Sequence, residues 1–79
     1  MSNAKLKEFA DEQINISARR ILDKGDKADE IAAGKIDFFI ALRSVLSGDL
    51  DKRELGLLDA VNDTLQHLGI IESGKTFYK

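Results

Sequence analysis

The stretch that decides the fold is KADEIAAGKIDFFIALRSVLS, residues 27–47. With successive residues turned by about 100° in a helix, its apolar side chains do not gather into one stripe. Ala28, Ile31, Ala32, Ile36, Phe38, Phe39, Ile40, Leu42, Val45 and Leu46 cover about two-thirds of the circumference. Only the strip through Glu30, Asp37 and Ser44 is consistently polar. A helix of a monomeric three-helix bundle needs a narrower stripe. This segment therefore reads as the central helix, packed on more than one side, with apolar surface left over. Phe38 and Phe39 are adjacent and cannot share a face, so large apolar groups occupy at least two of its surfaces.

Outward from this segment the chain punctuates itself with glycine. There is no proline, and Gly25, Gly48 and Gly69 each follow an apolar-periodic run, as expected of residues that end a helix in the left-handed conformation. Asp26 and Asp49 follow the first two, placing acceptors where a new helix begins. The expected organisation is one all-α domain over residues 1–79, a three-helix bundle of long antiparallel helices at about 4–24, 27–47 and 52–68. A short C-terminal tail, 70–79, is extended or forms a small β-hairpin.

The third helix has the clearest start. Asp51 is placed to cap it, with Glu54 three residues on, and Leu50 can staple onto Leu55. Leu55, Leu58, Val61, Leu65 and Leu68 recur at three- and four-residue steps, opposite Lys52, Asp59, Asp63, Gln66 and His67. The first helix presents Leu6, Phe9, Ala10, Ile14 and Ile21, with Ile16 at the edge of the stripe. Gln13 and Ser17 fall inside that stripe and Arg20 beside it. Groups so placed must find partners or reach water, because an unpaired buried polar group costs roughly 1–3 kcal/mol. In the tail, Ile70-Ile71-Glu72 and Thr76-Phe77-Tyr78 flank Ser73-Gly74, which reads as a two-residue turn.

Several kinds of chemistry are disfavoured. The chain of 79 residues has no cysteine and a single histidine, His67, so neither a disulfide nor a zinc site is expected. Net charge is −2 with 33 % of residues charged, which provides no basic field for phosphate backbones. No apolar run reaches the length of a membrane span, and no apolar core of a secretory signal stands at the start. A cytoplasmic location is expected. Asp11-Glu12 and Asp29-Glu30 are adjacent carboxylates whose side chains point about 100° apart on a helix, so neither pair converges on one ion or bond. No catalytic residues, cofactor or metal ligands are expected, and the chain does not read as an enzyme.

Residues 69–76, GIIESGKT, satisfy the letters of a phosphate-binding loop. Such a loop needs a strand before it and a helix after it. Here a helix precedes and only Phe77, Tyr78 and Lys79 follow, so no nucleotide is expected. The third helix with a small hairpin behind it resembles the recognition helix and wing of winged-helix DNA-binding domains, over residues 55–79 only. That resemblance implies a small DNA-associated regulator, but Asp59 and Asp63 present the wrong sign to phosphates. Nucleic acid is the disfavoured alternative.

The remaining reading is a small protein–protein interaction module: an adaptor, inhibitor or assembly factor that self-associates, as a homodimer or larger homo-oligomer, through the second helix. Ile36, Phe38, Phe39, Ile40 and Arg43 are its expected surface, with Phe77 and Tyr78 as a second contribution from the tail. Aromatic and arginine side chains are the usual anchors of such surfaces. A chain this short also has little material with which to cover its own apolar groups.

Overall fold

The chain folds, in a computed structural model describing residues 3–23, 29–49 and 51–78, into three helices: α1 (Asn3–Asp23), α2 (Glu30–Leu46) and α3 (Lys52–His67). No strand is present among the described residues. The helix ends follow local chemistry. Gly48 and Gly69 have φ of 86° and 76°, the left-handed turn anticipated after α2 and α3. The Asp51 carboxylate accepts from the backbone N–H groups of Arg53 and Glu54, at 2.9 and 3.1 Å, and so caps α3 as expected. The proposed staple to Leu50 and the glycine stop at Gly25 lie outside the described residues.

Among the described residues α2 begins at Glu30, and its expected start near residue 27 lies outside them. Asp29 caps it, its Oδ1 accepting from the Ala32 N–H at 2.9 Å. The same carboxylate is buried, and its Oδ2 lies 3.5 Å from the exposed guanidinium of Arg20 on α1. One acid thus both fixes where α2 begins and joins it to the end of α1. This also answers the question of Arg20, which finds its partner at the rim of the apolar stripe.

α1 and α2 form an antiparallel hairpin. Arg20 meets Asp29, Phe9 stacks edge-on against Phe39 with ring centroids 5.7 Å apart, and Arg43 donates to Asp11 Oδ1 at 3.4 Å. α3 packs on α2, whereas α1 and α3 do not pack on each other among the described residues. The molecule measures 44 × 24 × 23 Å, so the helices make a pair with a third helix added to one of its members, looser than a closed bundle.

The tail supplies what α1 and α3 do not give each other. Tyr78 is 6 % exposed and belongs to a core cluster with Ala10 of α1, Leu42 of α2 and Leu58 of α3. Leu6, Phe38, Phe39, Val45, Leu46 and Phe77 pack against that cluster. Residues 70–78 run through turns without strand pairing, with Gly74 at φ 85°. They are held on α3 by Asn62, whose side-chain amide donates to the Lys75 carbonyl and accepts from the Phe77 N–H, both at 2.9 Å. Gln66 Nε2 also donates to the Lys75 carbonyl, at 2.9 Å. Paired strands would satisfy these backbone groups with one another; here a helix side chain satisfies them.

Candidate interaction surface

The second helix has more apolar circumference than its neighbours hide. Ala32, Ala41 and Leu42 are buried, whereas Ile36, Phe38 and Phe39 are only half-buried. Ile31 is 69 % exposed and Ile40 is also exposed. These two lie nine positions apart, about 180° around α2, so the uncovered groups stand on opposite flanks. Arg43 is exposed on the Ile40 side of the helix, engaged with Asp11.

The Ile31 flank is the richer one, because α1 adds to it. Phe9 and Ile16 are each 47 % exposed. They are seven residues apart, hence within about 20° of one line along α1. On α2, Ile31 and Phe38 hold the same relation. The ring contacts Phe9–Phe39 and Phe38–Phe39, at 5.7 and 5.3 Å, bring the two lines together at one end. The Arg20–Asp29 contact fixes the other end. Between these anchors the antiparallel register sets Ile16 level with Ala32, one residue from Ile31. Phe9, Ile16 and Ile31 therefore form one open apolar row along a side of the hairpin, with Phe38 and Phe39 as its half-buried floor.

The tail aromatics occupy the interior. Tyr78 is a core residue and Phe77 is half-buried, so Tyr78 offers no surface to a partner. Sequence reasoning placed Ile16 at the edge of the α1 stripe and Ile31 within the α2 arc, but gave neither a role. Their exposure depends on α3 and the tail covering that side of α2 only further along, at Phe38, Leu42 and Val45, which no local pattern specifies.

Among the clefts of the described surface are two beside α3. One of about 350 Å³ is lined by Asp37, Ala41, Asp51, Arg53, Glu54 and Leu57. The other, about 230 Å³ and mostly apolar, is lined by Val45, Gly48, Asp49, Lys52 and Leu55. No cluster of three or more metal-binding side chains occurs among the described residues, and no helix of the described chain is long and apolar enough to cross a membrane. The residues of the phosphate-loop pattern run through turns after α3, with no helix following in the described chain. The paired strands of a wing are likewise not formed there. Among known proteins the chain matches no family, no curated sequence and no solved structure.

Proposed function

We propose that this chain is a small, non-catalytic protein-interaction module that self-associates through the open side of the α1–α2 hairpin, with α2 at its centre. One observation carries the reading: Phe9, Ile16 and Ile31 stand exposed on one side of the hairpin, while the largest fully buried side chains among the described residues are two leucines, Leu42 and Leu58. A chain that leaves so much apolar surface in water lowers its free energy by burying that row, at about 25 cal/mol per Å². The charged residues around the row set which partner fits. An adaptor, inhibitor or assembly factor working in the cytoplasm suits a cysteine-free, mildly acidic chain. Light scattering over a concentration series tests the reading. Ile31→Glu is expected to abolish association with the helix content unchanged, and Ile40→Glu, on the opposite flank, to leave it intact. Equal loss from both, or from neither, contradicts the assignment of the surface.

A further inference from the structure

We infer that the occupant of the open row is a second copy of this chain, docked antiparallel about a two-fold axis that passes beside Ile16. The inference rests on the self-association proposed above and specifies its geometry. It comes from the order of charges on α1. Glu12, Ile16 and Arg19 are all exposed and lie on one side of that helix, an acid one turn before the isoleucine and a base one turn after it.

A two-fold axis that runs across the hairpin from α1 to α2, level with Ile16, reverses the direction of α1. It therefore brings Glu12 of each chain within one residue of the level of Arg19 of the second copy, twice, with the two Ile16 side chains between them. A parallel pairing would instead put Glu12 against Glu12 and Arg19 against Arg19. Like charges so placed repel, and opposite charges fix the register. A closed two-fold pair uses the same patch on both partners, and this patch is self-complementary in one direction only.

The same operation sets α2 against α2. Because Ile16 is level with Ala32, the axis crosses α2 there, and Ile31 of each copy lies opposite Ala33 of the other, beside the second Ile31. The result is an α1–α1 pairing over residues 9–23, with the two α2 helices overlapping only in their first turn, residues 30–34. α3 and the tail, packed on Phe38 and Leu42 of the same side of α2, flank it at either end.

The chain contains no cysteine, which makes a direct test available. In the full-length chain, Ile16→Cys places two thiols beside the axis, and mild oxidation is expected to convert nearly all of the protein into covalent dimer. A disulfide forms only where the Cα atoms approach to about 4.4–6.8 Å. Leu22→Cys, on α1 but about 120° away from the row, is expected to give none. Separately, Glu12→Arg or Arg19→Glu is expected to weaken dimerisation by about tenfold or more, because each places like charges together at two symmetric points. The double exchange Glu12→Arg with Arg19→Glu is expected to restore it. A wild-type dimer that fails to cross-link through Ile16→Cys, or whose double exchange brings no recovery, overturns this pairing and leaves self-association through another surface. A wild-type chain that stays monomeric at high micromolar concentration overturns both and makes the row a site for a different protein.

Discussion

The Tyr78 hydroxyl donates a hydrogen bond to the Asp59 carboxylate on α3, so the far end of the tail is tied to the middle of a helix across the core that Tyr78 itself completes. The contact has an electrostatic consequence. The bond to Asp59, burial of the phenol, and the negative charges of Asp59 and Asp63 all hold the proton on Tyr78 and push its pKa up from 10 to about 12.

For an acid whose folded pKa lies above its unfolded one, the linked stability is fully present below the unfolded value and is lost as pH climbs toward the folded one. The chain is therefore expected to lose stability between pH 10 and 12 relative to Tyr78→Phe, which has no such proton. Urea titrations of the two chains across that range check this. At neutral pH, Tyr78→Phe is expected to cost about 1.5–3 kcal/mol, the net worth of one hydrogen bond to a charged acceptor. Parallel pH curves for the two chains contradict the account.

Asn62 is 4 % exposed and both donates to and accepts from the tail backbone. Asn62→Leu keeps the volume but leaves the Phe77 N–H and part of the Lys75 carbonyl without partners. A loss of about 2–4 kcal/mol is expected from two bonds of this kind. Hydrogen exchange at the Phe77 amide should accelerate more than exchange within α1. Uniform acceleration throughout the chain would mean that the tail is not a separate unit.

Asp29 has two jobs that substitution can separate. Asp29→Asn keeps a capping oxygen for Ala32 and removes the charge facing Arg20, whereas Asp29→Ala removes both. Alanine is expected to cost about 1–2 kcal/mol, mostly from the lost cap, and asparagine less. Thermal melts of both variants measure the difference. Equal costs would assign the effect to the ion pair.

Gly56 lies inside α3, and a methyl group added there would meet nothing within 4 Å. Gly56→Ala is therefore expected to stabilise the fold by about 0.5–1 kcal/mol through helix propensity alone. Chemical denaturation reads this as a higher midpoint at an unchanged slope. A drop in stability would mean that this face of α3 is closed by a contact of its own.

The helices and their ends were legible in the sequence because they rest on short-range chemistry: Asp51 bonding two nearby N–H groups, Gly48 and Gly69 accepting positive φ, and leucines spaced by three and four. Ser17, inside the apolar stripe by spacing, is indeed buried at 3 %. What could not be read depends on distant segments. Asp26 and Asp29 are equally good caps by composition, and a tertiary contact with Arg20 accompanies the second. Asn62 stands among the leucines of α3, one turn from Leu58, a polar residue on an apolar face that signals a partner. Nothing local says that the partner is the backbone fifteen residues onward at Phe77. The open row has the same origin: Phe9 and Ile31 look like core residues by periodicity, Ile16 stands at the edge of its stripe, and all three are uncovered because α3 and the tail pack further along α2, at Phe38 and Leu42.

Sedimentation equilibrium of the unaltered chain, from low to high micromolar concentration, tests the central claim most directly. A species of twice the 8.8 kDa chain mass, reverting to one chain when Ile31 is replaced by glutamate, is the expected result. A single species of 8.8 kDa at every concentration would contradict it.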